Sequence, residues 1–240
     1  MFILGIKAFF SLTWNRELDD YYKKKLSAER LRPCYEIASP RVKQYLEAKI
    51  DFVLERIQHQ HLVLELGCGY GRVLKRILGH AQMVVGIDNS LESLALAREE
   101  VGSHPACRLA AMDASRLGFR KRVFDRVVCI QNGISAFKVE PRRLVLEALR
   151  VTRPGGKVLF SSYSPRFWNE RLEWFQRQAE LGLLGEIDYE ATGNGVIVCK
   201  DGFRATTFGA EEFLSLVSDL HVSPQITEVD GSSIFCEMTV

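Results

Sequence analysis

The residues best suited to chemistry in this chain are an acid and three alternating glycines. Glu65 ends a short apolar run, and Gly67, Gly69 and Gly71 follow it. Glycine permits backbone angles that side chains forbid, and it lets a ligand approach the main chain closely. A helical pattern of apolar and basic residues begins directly afterwards, over 72–78. Strand, glycine turn and helix in this order are typical of the start of a nucleotide-binding βαβ unit. An ordinary strand-to-helix turn is the alternative.

A second acid occupies the corresponding position one strand later. The apolar run 83–88 ends in Asp88, which lies 23 residues after Glu65. A carboxylate at the tip of the second strand can accept hydrogen bonds from both ribose hydroxyls of an adenosine moiety. Asp88 could instead cap the helix that begins near Leu91. Because Ser90 is a good capping residue itself, the sequence favours ribose binding by Asp88.

These residues resemble the class I S-adenosylmethionine-dependent methyltransferases. The run Glu65-x-Gly67-x-Gly69-x-Gly71 is similar to that family's first motif and differs from the Gly-x-Gly-x-x-Gly of nicotinamide enzymes. Nicotinamide enzymes use the helix N-terminus to bind a pyrophosphate, and S-adenosylmethionine has no phosphate. An acid before the first glycine would repel a pyrophosphate, whereas it suits a cationic sulfonium and ammonium.

Further motifs follow in the order that the resemblance implies, and together they cover residues 40 to 163. In the family, an acid after the third strand (here 107–111) reaches the adenine amino group, and its neighbours wall the ring. The fourth strand, 124–130, leads into a polar loop, and residues 153–160 resemble the family's Pro-Gly-Gly turn and fifth strand. The implied cofactor is S-adenosylmethionine. The implied cofactor-binding residues are Glu65, Gly67, Cys68, Gly69, Gly71, Arg72, Asp88, Asn89, Met112, Asp113, Ala114, Gln131 and Asn132.

The element order predicts an α/β fold with a doubly wound, mostly parallel seven-stranded sheet. The resemblance implies the strand order 3-2-1-4-5-7-6, closed by an antiparallel pair at 225–229 and 234–240. A helix is predicted from Ser39-Pro40, a favoured N-cap and first-turn pair, to about Gln58. Two further helices are predicted over 140–151 and 210–220.

We expect one methyltransferase domain over 1–240, in four parts. They are a helical cap at 1–58, a cofactor-binding core at 59–163, an insertion at 164–208, and a final helix and hairpin at 209–240. The insertion is predicted to contain a helix over 165–184 and strands at 187–191, 196–200 and 203–207. It would lie over the carboxyl ends of the sheet strands, where ligands bind in open α/β sheets. The insertion is therefore the candidate substrate lid.

Composition argues against several other classes of protein. The chain has 240 residues, 47% hydrophobic content and a net charge of +2, which gives no strong electrostatic case for nucleic acid or a membrane surface. The six cysteines form no CxxC pair and show no zinc-ligand spacing, so no metal site is expected. Free thiols favour a reducing, cytoplasmic location. The apolar first ten residues are too short to span a bilayer, and no stable membrane insertion is expected. A monomer or a homodimer is expected.

Missing motifs favour a small molecule as the methyl acceptor. The fourth motif reads Ile130-Gln131-Asn132-Gly133, not the Asn/Asp-Pro-Pro-Tyr/Phe of enzymes that methylate amino groups of nucleic acid bases. Whether the accepting atom is O, N, S or C stays open. Methyl transfer from a sulfonium is an in-line displacement, so alignment and water exclusion do much of the work.

Three side chains outside the motifs complete the candidate site. Tyr163 ends the fifth strand and is the candidate catalytic residue, although a hydrogen-bonding core tyrosine fits the same pattern. Tyr35 and Arg41 flank the start of the helix before the first strand, and Arg41 could pair with the methionyl carboxylate. Two alternative functions stay open. One is a non-catalytic S-adenosylmethionine-binding protein, and the other is a nicotinamide-dependent oxidoreductase.

Overall fold

A computed structural model describes residues 30–240 of the chain. The apolar first ten residues and the rest of the predicted cap up to residue 29 lie outside the described residues. Between residues 30 and 240, no helix is both long enough and apolar enough to cross a bilayer.

A seven-stranded sheet in the order β3-β2-β1-β4-β5-β9-β8 forms the centre of the fold. The first five strands pair in parallel, and β9 pairs antiparallel with both β5 and β8. Because two short strands of the insertion precede the final pair in the chain, this is the predicted order 3-2-1-4-5-7-6. The strands are β1 Leu62–Leu66, β2 Met83–Asp88, β3 Cys107–Ala111, β4 Phe124–Cys129, β5 Thr152–Tyr163, β8 Ser223–Val229 and β9 Ser233–Thr239.

Helices cover both faces of this sheet, and two of them begin with the side-chain caps that the sequence predicts. Ser39 Oγ accepts a hydrogen bond from Val42 N at 3.3 Å, and Ser90 Oγ accepts one from Ser93 N at 3.1 Å. The helices are α1 Leu31–Glu36, α2 Pro40–Leu54, α3 Arg72–Ile77, α4 Leu91–Val101, α5 Gly133–Ala136, α6 Pro141–Val151, α7 Trp168–Glu180 and α8 Ala210–Val217.

The central strands are buried because helices pack on both of their faces, as in other parallel sheets. Leu64 and Val127 belong to the apolar core on one side, and Val63 and Val128 belong to the core on the other. This arrangement fixes the carboxyl ends of β1, β2 and β4 along one edge of the sheet, where the candidate site residues lie.

The insertion between β5 and α8 differs in part from its prediction. Strands β6 (Val196–Val198) and β7 (Arg204–Thr206) pair antiparallel inside the ranges predicted for them. The strand predicted at 187–191 is wrong, because only Ile187 makes an isolated bridge, to Cys199. The predicted helix 165–184 is a short 3-10 turn followed by α7, which ends at Glu180.

Several other element ends also differ from the prediction. Helix α2 ends at Leu54 instead of Gln58, and α8 ends at Val217 instead of Leu220. Strand β5 begins at Thr152, before the Pro-Gly-Gly turn, and its pairing with β4 shifts register there. Gly155, at φ +75°, donates its N–H to Val240 O, so the turn is held against the last residue of the chain.

Candidate active site

The glycine turn after β1 is a tightly packed cradle. Gly67, Gly69 and Gly71 all have positive φ angles, of +70°, +53° and +88°. A Cβ atom on Gly67 would lie 2.7 Å from the ring of Phe137, and one on Gly71 would lie 3.2 Å from the Cα atom of Ala97. Only glycine combines these angles with this close approach, so the backbone itself forms the surface of the cradle.

Glu65 supplies a buried carboxyl group directly before the turn. Its Oε2 atom has no hydrogen-bond partner among residues 30–240. Burial raises the pKa of Glu65 from 4.5 to about 8, while the nearby Arg72 lowers it and Asp88 raises it further. A buried carboxyl with a free oxygen favours binding of a cationic group, because such a partner would offset the cost of ionising the acid.

Arg72, the first residue of α3, lies beside Glu65 at the same turn. Its guanidinium is 5.0 Å from the ring centroid of Tyr35, and its Nη1 atom is 3.5 Å from Glu47 Oε1. Its Nη2 atom is buried and has no hydrogen-bond partner in the described part of the chain. A partly unsatisfied guanidinium beside a buried acid provides a place for a ligand that carries both an anionic and a cationic group.

Asp88 connects the glycine turn to the start of α4. Its Oδ2 atom accepts the N–H of Gly69 at 2.9 Å, and its Oδ1 atom accepts the N–H of Ser90 at 2.9 Å. Burial raises the pKa of Asp88, although these backbone hydrogen bonds act in the opposite direction. Ser90 is the side-chain N-cap, so the capping alternative for Asp88 is not needed. A carboxylate can accept several hydrogen bonds, so Asp88 can also accept from a ligand hydroxyl.

The loop after β4 holds an unusual backbone conformation. Gln131 and Asn132 are consecutive non-glycine residues with φ angles of +65° and +60°. Asn132 is fixed by the hydroxyl of Ser162, which donates to its Oδ1 at 2.7 Å, and by its own Nδ2, which donates to Thr206 O at 3.0 Å. Such strain persists only where the surroundings hold it in place, and it is frequent at functional sites.

A cavity of about 80 Å³ opens beside this loop. Its wall is uncharged and rich in aromatic rings, and it is built jointly by α1, the β4 loop, the end of β5 and the insertion. The rings of Tyr35 and Trp174, which both line it, pack against each other with centroids 6.1 Å apart. The polar and aromatic residues of the lining include Tyr35, Gln131, Asn132, Tyr163, Trp174 and Phe175.

Comparison with known proteins supports what this geometry suggests. Residues 63–156 match a family model described as a methyltransferase domain. Over 107 residues the chain is 41% identical to the phosphatidylethanolamine N-methyltransferase of Cereibacter sphaeroides, a match that covers 43% of this chain and 51% of that protein. Residues 63–156 are therefore similar to a methyltransferase domain, in agreement with the resemblance that the sequence motifs carry.

A second relative and a solved structure extend the comparison. The ubiquinone biosynthesis O-methyltransferase of Coxiella burnetii is 25% identical over 148 residues, which covers 58% of this chain and 56% of that protein. The chain thus spans about half the length of these curated relatives. The N-methyltransferase NodS of Bradyrhizobium japonicum, solved with S-adenosylhomocysteine, shares the fold. Its TM-score is 0.62 at 14% identity, with 92% of this chain and 97% of that chain covered.

The residues around the turn fit S-adenosylmethionine, the cofactor that the resemblance of the sequence motifs implies. The orphaned Oε2 of Glu65 suits the ammonium group, and the orphaned Nη2 of Arg72 suits the carboxylate. The carboxylate of Asp88 suits the ribose hydroxyls. Asp113 is held by Ser115, whose N–H and hydroxyl donate to its Oδ1 at 2.7 and 2.8 Å. When bound there, the cofactor would supply an activated methyl group on a sulfonium.

The other residues predicted to bind the cofactor differ in their surroundings. Some lie at the carboxyl ends of the strands, and others are engaged in contacts within the protein. Cys68 is buried in the turn, Asn89 is exposed after β2, and Ala114 is buried beside Asp113. The Sδ atom of Met112 accepts the N–H of Gly118 at 3.3 Å.

Arg41 does not line the cavity. Its guanidinium bonds to the carboxylate of Asp230 at 2.6 Å and to the Asp230 carbonyl at 2.8 Å, and it lies 4.9 Å from the ring centroid of Phe167. This set of contacts ties α2 to the β8–β9 turn. The methionyl carboxylate is therefore better served by Arg72.

Sequence reasoning missed several residues beside the site. Phe137 supports Gly67, and the buried Lys49 and Tyr45 lie on the inner face of α2. Arg171, from α7, donates to two insertion carbonyls, those of Gly195 and Ala205. The α2 pair does carry a signal, because the i, i+4 spacing of Tyr45 and Lys49 places both on the apolar face of a helix, where a lysine is unusual.

We predict that Gly67→Ala weakens binding of S-adenosylhomocysteine by about tenfold or more. The added methyl group would force the glycine turn away from Phe137. Such a displacement costs on the order of 1–3 kcal/mol. Isothermal titration calorimetry measures the affinity. Gly79→Ala is the matched control, because Gly79 also has positive φ, at +91°, but has no atom within 4 Å of its added Cβ. Equal affinities of the two variants would show that the turn has no role in binding.

Proposed function

We propose that this protein transfers the methyl group of S-adenosylmethionine to a nitrogen or oxygen atom of a small molecule with an apolar body. The observation that carries the proposal is the aromatic, uncharged cavity, which meets the β4 loop of the cofactor-binding edge. Glu65, Asp88 and Arg72 would hold the cofactor so that its methyl group faces this cavity. Alignment and exclusion of water then supply much of the rate enhancement.

The chemistry of the wall supports an apolar or cationic acceptor. Aromatic faces attract ammonium groups and apolar bodies alike, and the lining contains no charged side chain. Two relatives are named for methylating phosphatidylethanolamine and for an O-methylation in ubiquinone biosynthesis. Both names are consistent with an amine or hydroxyl group attached to a large apolar molecule.

The insertion, residues 164–208, makes contacts that support its proposed role as a lid over the cavity. Trp174 Nε1 donates to Cys34 O in α1 at 2.7 Å, which joins the insertion to the segment before the core. On the other side, Thr206 N donates to Ser135 Oγ at 3.1 Å, next to the β4 loop. The insertion therefore bridges the cavity from two directions. The acceptor would enter by displacing part of this cover.

The experiment is a turnover screen of the purified full-length protein. S-adenosylmethionine is supplied with phosphatidylethanolamine in mixed micelles, with a catechol bearing an isoprenoid chain, or with malonyl-acyl carrier protein, and S-adenosylhomocysteine is measured. We expect product with one of the first two acceptors. Calorimetry with S-adenosylhomocysteine and NAD runs in parallel. Tight S-adenosylhomocysteine binding without any turnover would favour the non-catalytic alternative, and tight NAD binding alone would contradict the proposal.

A further inference from the structure

Lys49 is a fully buried lysine that has no assigned role in cofactor binding. Its Nζ atom lies 2.5 Å from the hydroxyl oxygen of Tyr45 and 3.4 Å from Gln131 Oε1. Within residues 30–240, no carboxylate forms an ion pair with it. A buried ammonium without an acid partner is costly, and the usual response is loss of the proton.

The surroundings of Lys49 favour its neutral amine. Burial lowers the pKa of Lys49 well below 10.5, and the positive charge of Arg72 lowers it further. The rings of Tyr45 and Tyr163, with centroids 3.9 and 5.8 Å from Nζ, are the other groups that face it. The neutral amine that burial favours has a lone pair, so in this form Lys49 can accept the hydroxyl proton of Tyr45.

Tyr45 continues the chain of contacts to Tyr163. The two rings stack with centroids 5.3 Å apart, and the hydroxyl group of Tyr45 donates a hydrogen bond to that of Tyr163. Phe167 stacks on Tyr45 with centroids 4.7 Å apart. The guanidinium of Arg171 lies 4.3 Å from the ring centroid of Tyr163. These packed rings hold the two hydroxyl groups in one arrangement.

Of the three residues Lys49, Tyr45 and Tyr163, Tyr163 is the one that lines the cavity. Burial raises the pKa of Tyr163, while Arg171 and the hydrogen bond with Tyr45 lower it, so its hydroxyl is protonated at neutral pH. A protonated phenol cannot act as a base alone. It can pass a proton on, however, if another group takes its own proton at the same time.

We propose that Lys49, Tyr45 and Tyr163 form a proton relay that deprotonates the methyl acceptor. This inference rests on the proposed function and adds to it the fate of the acceptor proton. Tyr163 is the catalytic residue, because it borders the cavity. Tyr45 and Lys49 act through it as positioning residues, and Lys49 is the final proton acceptor.

The proton account balances without any further reactant. As the acceptor heteroatom gains a bond to the methyl carbon, it loses one proton to Tyr163 Oη. For this transfer the Tyr45 hydroxyl turns from Tyr163 towards the neutral amine of Lys49. Tyr45 then passes its proton to Lys49 Nζ, which becomes an ammonium, and Tyr45 Oη accepts the hydroxyl proton of Tyr163. The electron pair of the broken carbon–sulfur bond stays on sulfur. The relay runs backwards to water when the product leaves, so one proton is released in each turnover.

The first test measures the resting state of the relay and requires no acceptor. The full-length protein is labelled with [¹³Cζ]tyrosine, and its NMR spectrum is recorded from about pH 5 to about pH 9, a range in which ordinary tyrosine and lysine do not titrate. We expect the Tyr45 signal, assigned through Tyr45→Phe, to shift with one midpoint inside this range. Lys49→Met should abolish that shift. A Tyr45 signal that does not move, or that moves equally in Lys49→Met, overturns the proposal.

The second test is kinetic and uses phosphatidylethanolamine micelles as the acceptor probe. Lys49→Met and Tyr163→Phe should each lower kcat by about a hundredfold near pH 7, as expected for loss of a proton acceptor, with little change in KM. The pH dependence of kcat should disappear in both variants. Lys43→Met is the matched control, because Lys43 lies exposed on the same helix.

The two tests separate the relay from the proposed function. S-adenosylhomocysteine affinity should be unchanged in Lys49→Met, which shows that the variant is folded. Turnover that persists unchanged in Lys49→Met would overturn the relay and leave methyl transfer intact. If the micelles are not methylated, the acceptor is wrong, and the NMR result alone decides whether the relay exists.

Discussion

Asp88→Ala is expected to weaken binding of S-adenosylhomocysteine by about a hundredfold or more. The carboxylate would lose two ribose hydroxyl partners, and each hydrogen bond to a charged group is worth about 1.5–3 kcal/mol. The variant also removes the acceptor of the Gly69 and Ser90 N–H groups, which loosens the turn itself. Calorimetry at fixed pH and ionic strength measures the affinity.

Two further variants separate ribose binding from support of the turn. Asp88→Asn keeps an oxygen for one backbone N–H but loses the charge, so its affinity should lie between those of the wild type and Asp88→Ala. Ser90→Ala removes the helix cap, which typically costs about 1 kcal/mol of stability, and should leave cofactor affinity nearly unchanged. An affinity loss in Ser90→Ala as large as that in Asp88→Ala would mean that Asp88 acts only through the helix start.

Much of the fold follows from local sequence signals. Apolar strands that end in Glu65 and Asp88, each followed by a helix, require parallel pairing, and the glycine spacing fixes where the chain turns. The structure shows the sheet that these signals predict, including the antiparallel hairpin at its end. The error at 187–191 has a physical cause. A segment with strand-like composition becomes a strand only if it finds a partner, and here only Ile187 pairs, with Cys199.

Site residues that belong to a sequence motif could be predicted. Residues whose partners are distant in the chain were harder to predict, because tertiary packing determines their contacts. Glu65 and Asp88 could be placed from sequence because strand ends meet at one edge of a parallel sheet. The partner of Arg41 could not, since Asp230 lies 189 positions away in the chain and the contact depends on how α2 meets the β8–β9 turn. For Lys49 the sequence held a signal, its place on the apolar face of α2, but its contacts with Gln131 and Tyr163 depend on tertiary packing.

The buried acid at the glycine turn has opposite effects on stability and on cofactor binding. Because the pKa of Glu65 is about 8 in the folded protein and 4.5 ordinarily, the folded state holds an extra proton between these values. Stability without cofactor should therefore fall as pH rises through this window, by at most about 1.4 kcal/mol per pH unit, and level off above it. Glu65→Gln should lack this slope, and thermal unfolding at several pH values measures it.

Binding of S-adenosylmethionine should show the opposite pH trend, because its ammonium group favours the ionised form of Glu65. From pH 6 to pH 8 the ionised fraction of a group with this pKa rises from about one in a hundred to about one half, so affinity should increase by about fiftyfold. In Glu65→Gln the affinity should be low and nearly independent of pH over the same range. Calorimetry in buffers of different ionisation enthalpy provides a second readout. Near pH 6 the wild type should release about one proton per cofactor bound, and Glu65→Gln should release none. A wild-type affinity that does not change with pH, or a variant that keeps the same slope, would show that another group receives the cofactor's positive charge.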